Sequence, residues 1–164
     1  MRIGVTGHQR LEHPEAWYPV ARAIRELLGR FAGPLTGVTS LAIGADQLFA
    51  QLVLARGGEL HAVLPFAGIE RTFAAADVPA YRGLADRATV EVLAPCASDE
   101  DAFLAAGERV VELSDLLVAV WNGRPAKGKG GTADVVAYAL GRRVPLVHVE
   151  PAACGWAPRG GRRA

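Results

Sequence analysis

The period of apolar and polar positions changes repeatedly along the chain, and each change marks an element. Ile3 and Val5 alternate within residues 2–6 and run into Gly7, which predicts a short strand closed by a tight turn. From Pro14 onward, Trp17, Val20, Ala21, Ile24, Leu27, Leu28 and Phe31 recur at steps of three and four. One helix face is therefore apolar, with Gly33 and Pro34 as its stop. Residues 37–43 read as a second strand broken at Gly44, and Leu48, Leu52 and Ala55 as a second helical face ending near Gly57 and Gly58. Residues 60–64 and 89–93 read as further strands, separated by a mixed segment with a short helix after Pro79. Ser98 has the character of an N-cap with Asp101 three residues on, and Phe103, Ala106, Val110 and Leu113 mark the helix it starts. Residues 116–121 are continuously apolar, as in a parallel strand covered on both faces, and are expected near the middle of the sheet. A helix over 132–140 stopped at Gly141 and a strand over 144–149 complete the pattern. Six strands alternating with helices predict one α/β domain over residues 1–150, a doubly wound, mostly parallel sheet with helices on both faces. Residues 151–164, which end RGGRRA, have no periodicity and read as a loose basic tail.

Composition narrows the function classes. The 164 residues are 51% hydrophobic, enough for one core, and 18 Lys plus Arg against 17 Asp plus Glu leave a formal charge of +1. No overall field favours nucleic acid or an anionic membrane, so nucleic acid is not an expected partner. No apolar run reaches the length of a membrane span, and MRIGVTGHQR opens like a strand rather than a signal peptide, so a cytoplasmic protein is expected. Cys96, Cys154 and four scattered histidines match no metal spacing, and no metal site is expected. The positive charge comes from sixteen arginines and two lysines, Lys127 and Lys129, which sit together in a glycine-rich stretch.

The chemically unusual residues cluster at strand exits. Thr6, Gly7, His8, Gln9 and Arg10 follow the first strand, and Gly44, Ala45, Asp46 and Gln47 the second. Trp121, Asn122 and Gly123 follow the fifth and lead to Lys129, Gly130, Gly131 and Thr132 at a helix start. In a doubly wound sheet these turns share the carboxyl edge, where ligands bind. Glycines admit close backbone approach, and helix N-termini offer free N–H groups to anions, so the three turns describe a phosphate cradle. The cradle lacks both the P-loop and the GxGxxG spacings. His8 is read as a ligand contact or a hydrogen-bonded turn residue, and Arg10 as a phosphate fork or a solvated side chain. Asp46 is read as a ribose contact or a helix cap, Asp134 as a ribose contact or a charge favouring the helix dipole, and Trp121 as a base-stacking ring or core. In the mixed segment, Phe66, Arg71, Phe73, Tyr81 and Arg82 are candidates to cover a base or phosphate from the third strand's exit.

The stretches IGVTGHQR at 3–10, LAIGADQLFA at 41–50 and DLLVAVWNGRPAKGKGGTADVVAYA at 115–139 resemble the SLOG superfamily over residues 1–150. These are Rossmann-like nucleotide-ligand domains related to the LOG phosphoribohydrolases and to the Smf/DprA fold. The resemblance implies a Rossmann-like sheet and a small-molecule ligand built on a nucleotide, such as ADP-ribose, NAD or a nucleoside phosphate, with no further cofactor required. Thr6, Gly7 and His8 match the family's first loop, Gly44 and Asp46 its second, and Gly130, Gly131 and Thr132 its GGT element. LOG enzymes carry PGGxGTxxE, whose glutamate takes part in N-glycosidic cleavage; that position here is Val135, and the nearest acid is Asp134. Two functions follow as expectations: a sensor or signalling module that binds the nucleotide derivative, and, as the alternative, a nucleotide N-glycosidic hydrolase with Asp134 as its catalytic residue. The resemblance also leaves a homo-oligomer open, since LOG relatives assemble.

Overall fold

The computed structural model describes residues 1–125 and 128–151. The tail expected over 151–164 therefore lies, beyond Pro151, outside the described residues, as does Lys127. The elements are β1 (Arg2–Gly7), α1 (Trp17–Gly29), β2 (Thr36–Thr39), α2 (Ala45–Ala55), β3 (Glu59–Leu64), α3 (Val78–Ala85), β4 (Ala88–Val92), α4 (Asp99–Glu112), β5 (Leu116–Val120), α5 (Thr132–Gly141) and β6 (Leu146–Val149). Short 3-10 turns at Pro14–Ala16 and Ile69–Thr72 precede α1 and α3.

The six strands form one sheet in the order β4-β3-β2-β1-β5-β6, and every neighbouring pair is parallel. The fold is thus the doubly wound α/β architecture that the alternation predicts. From β1 the chain steps outward through β2, β3 and β4. It then returns by way of α4, which packs over β3 and β1, and lays β5 on the other side of β1. The strand order reverses between β1 and β5, which is where such sheets open a crevice.

Two cores flank the sheet. Val20, Ile24 and Leu28 of α1 and Phe49 and Val53 of α2 bury against Ile3, Val5, Leu60, Val118 and Val120. On the other face Ala106, Val110 and Val111 of α4 and Val135 and Ala139 of α5 meet Val38, Val63 and Leu117. No helix among the described residues is long and apolar enough to cross a membrane.

Several expected boundaries move, each for a local reason. The second strand ends at Thr39 rather than at residue 43. Thr39 Oγ1 accepts from Leu41 N at 3.0 Å and Leu41 takes φ 56, so the chain leaves the sheet although Leu41 is fully buried. The short helix begins at Val78, with Pro79 inside its first turn instead of before it. The fifth strand lies beside β6 rather than at the middle of the sheet, where β2 and β1 stand. All five of its residues are nevertheless buried, because helices on both faces cover it.

Candidate functional site

His8 joins the loops at the switch point. Its N–H donates to Val120 O at 3.0 Å, tying the exit of β1 to the end of β5. Its carbonyl accepts from Ala45 N at 3.1 Å, which docks the N-terminus of α2. Its ring Nε2 accepts from Asn122 N at 3.2 Å, which ties the imidazole to the turn after β5. Gly44 makes the approach of α2 feasible. With φ 88, it stands so close that a Cβ there would lie 2.5 Å from His8 O.

The β2–α2 loop is held from inside by Asp46, whose carboxylate accepts from Thr39 Oγ1 and from Ser40 N, each at 3.0 Å. Gln47 Nε2 donates to Leu41 O at 3.1 Å and closes the same loop. Asp46 is 5% exposed, and burial pushes its carboxyl up from the ordinary 3.8 to about 6 against the pull of its hydrogen bonds. Through Oδ2 it anchors the loop.

After β5, Asn122 Oδ1 accepts from Arg124 N at 3.1 Å and Trp121 Nε1 donates to Arg124 O at 2.8 Å, forming a tight exposed turn. Trp121 is half-buried, with its ring 5.7 Å from that of His148 on β6. Gly123 is exposed, and among the described residues nothing lies within 4 Å of where its Cβ would be. Farther along, Gly130 N donates to Asp134 Oδ2 at 2.9 Å, so Asp134 folds the loop back over the start of α5. Gly131 is the N-cap of α5 and offers no side chain, leaving the first amides of the helix, from Thr132 on, without a side-chain cap. Lys129 pairs with Asp101 in the first turn of α4, and a Cβ on Gly130, whose φ is 81, would lie 2.8 Å from Leu104 N. The loop thus leans on α4. That contact was not readable from sequence, because Asp101 had an adequate role beside Ser98.

Of the expected residues, Gly7, His8, Gly44, Ala45, Asn122 and Gly123 are brought together by the His8 contacts, while Lys129 and Gly130 lean on α4 and Gly131 and Thr132 start α5. Thr6 is buried within β1. Arg10 is solvent-exposed and lies 4.0 Å from Asp77 at the start of α3. Tyr81 is buried edge-on against Phe73, which assigns both rings to the packing of α3, while Arg82 is exposed and lies 4.0 Å from Glu70. A cleft of about 440 Å³ lies elsewhere, between α1 and β6, and none of the expected residues lines it. Among the described residues, no group of three or more His, Cys, Asp or Glu side chains is placed to hold a metal ion.

Fold and loops together define an open, parallel α/β domain with its polar loops gathered at the carboxyl edge. The chain matches no family model and no curated protein. Solved structures do match. The chain is similar to DNA processing protein A (DprA) from Streptococcus pneumoniae with a TM-score of 0.66 and 18% identity, over 90% of this chain and 49% of that one. It is also similar to the Moco carrier protein from Chlamydomonas reinhardtii, with a TM-score of 0.53 and 21% identity, over 90% of this chain and 75% of that one. The chain thus spans about half the length of the DprA structure. These likenesses are of fold alone.

Proposed function

We propose that the protein binds a nucleotide-derived ligand of the ADP-ribose, NAD or nucleoside phosphate class, with a phosphate at the carboxyl ends of β1 and β5, and acts as a sensor or signalling module. The observation that carries this reading is the convergence on His8 of the β1 exit, the N-terminus of α2 and the β5 exit at the reversal of strand order. His8 holds its imidazole at this edge, Gly123 leaves room for close approach among the described residues, and the start of α5, where Gly131 supplies no side-chain cap, adds amides suited to an anion.

Binding is favoured over N-glycosidic hydrolysis by what α5 does with its acid. Asp134 accepts from Gly130 N. The position matching the LOG glutamate is Val135, which is 2% exposed and packed against Gly107 of α4. A valine has no group that could stabilise a ribosyl cation or activate water, and Asp134 Oδ2 is engaged by the loop.

Calorimetric titration of the protein with AMP, ADP, ADP-ribose and NAD, with each mixture assayed for released base, tests the reading. Saturable binding without base release is expected. Absence of binding to all four would overturn it, and base release abolished by Asp134→Asn would replace it with the hydrolase. A salt-sensitive shift with single-stranded DNA but no nucleotide binding would instead favour a nucleic-acid role.

A further inference from the structure

The carboxyl edge carries one more constellation, away from the phosphate loops. Phe66, two residues past the end of β3, is half-buried with its ring 5.7 Å from that of Phe103 in α4. The guanidinium of Arg71 lies over the Phe66 ring, 4.6 Å from its centroid, and Nη1 donates to Ala67 O at 3.3 Å. Arg71 itself is exposed. Although α4 lies on the opposite face of the sheet, Phe103 packs against the core formed by α1 and α2, so its ring crosses the carboxyl edge beside the end of β3. The stack therefore borders the crevice on its β3 side.

Its spacing from the phosphate loops suits one ligand. β3 stands two strands from β1, about 10 Å at ordinary sheet spacing, a gap that a ribose joining a base to a phosphate can cover. The first turns of α4 serve both ends, because Asp101 holds Lys129 and Phe103 backs Phe66. A guanidinium held over an aromatic ring offers its own planar cationic group to a further ring, and nucleobases stack on such groups.

We propose that Arg71, braced by Phe66 and Phe103, is the shelf on which the base of the ligand lies. The inference rests on the phosphate reading above and adds the residues that would distinguish a nucleotide from a bare sugar phosphate.

The test compares AMP with ribose 5-phosphate by calorimetry on the full chain, for the wild type, Arg71→Ala and Arg71→Lys. Arg71 is exposed, so both variants are expected to fold, which circular dichroism checks. AMP is expected to bind the wild type more tightly than ribose 5-phosphate. Arg71→Ala is expected to weaken AMP about tenfold or more and leave ribose 5-phosphate unchanged. Arg71→Lys, which keeps the charge and loses the plane, should weaken AMP nearly as much. Equal loss for both ligands, full rescue by lysine, no loss in either variant, or equal wild-type affinity for the two ligands would each overturn the shelf while leaving the phosphate site standing. Failure of the wild type to bind either ligand would remove both.

Discussion

Asp46 sits in the first turn of α2 with its carboxylate shut away from water, and its ionisation opposes folding. Its carboxyl is pushed up to about 6, above the 3.8 it has when exposed, so between those values the folded chain holds a proton that the unfolded chain has released. Stability from this group is therefore present at the acid end and declines as pH rises from about 4 through 6, by roughly 3 kcal/mol for a shift of this size. Glu91 and Asp101 carry lowered carboxyls and slope the other way, so the total curve mixes the three. The clean readout is the difference between the wild type and Asp46→Asn in urea melts at a series of pH values. The variant should gain on the wild type as pH rises through this window, and a difference independent of pH would show that Asp46 is not the titrating group. Position in the first turn made Asp46 conspicuous in the sequence. Its role as a loop anchor depends on Thr39 and Ser40 arriving from the end of β2, which no spacing rule predicts.

At the scale of the element, α4 is the most legible and the most informative. Ser98 reads as an N-cap from sequence, and in the fold its Oγ accepts from Asp101 N at 3.1 Å. Ser98→Ala should cost about 1 kcal/mol, a drop in melting temperature of roughly 2–4 °C for a chain of this size. Scanning calorimetry measures it, and an unchanged melting temperature would mean the cap contributes nothing. The helix also carries the contacts that pattern reading missed, since Asp101 reaches Lys129 and Phe103 reaches Phe66. Helical periodicity identifies the inward stripe of Phe103, Ala106 and Val110 but not the ring that Phe103 meets, and Asp101 lies off that stripe, where its partner comes from another segment. β2 shows the opposite failure. Leu41 continues an apolar run and is fully buried, yet it is a loop residue, because hydrophobicity reports burial and not backbone conformation.

Across the whole molecule, stability should follow the sheet order. β1 and β5 have a partner strand on each side and carry the core residues Val5 and Val118. β4 is an edge with Val90 and Val92 at 44% and 49% exposure, and β6 is the other edge. Native-state hydrogen exchange should therefore place the amides of β1 and β5 in the slowest class and those of β4 and β6 in faster ones. Uniform protection across all six strands would contradict that gradient. The same arrangement puts the point where the strand order reverses between two strands that are each paired on both sides, so a ligand of the proposed class would meet loops that stand on a firm floor.

By itself the sequence determined the six strands and their helices, the α/β class, and the three polar loops after β1, β2 and β5, because these follow from local periodicity and turn chemistry. Only the tertiary structure decided that β5 lies beside β1 and not at the middle of the sheet, that His8 clamps three segments together, and that Asp134 and Asp46 hold loops. It alone brought Arg71, Phe66 and Phe103 into one stack. Each of these depends on hydrogen bonds or ring contacts between residues far apart in the chain, whose partners are selected by strand order and helix placement and leave no periodic trace in either segment.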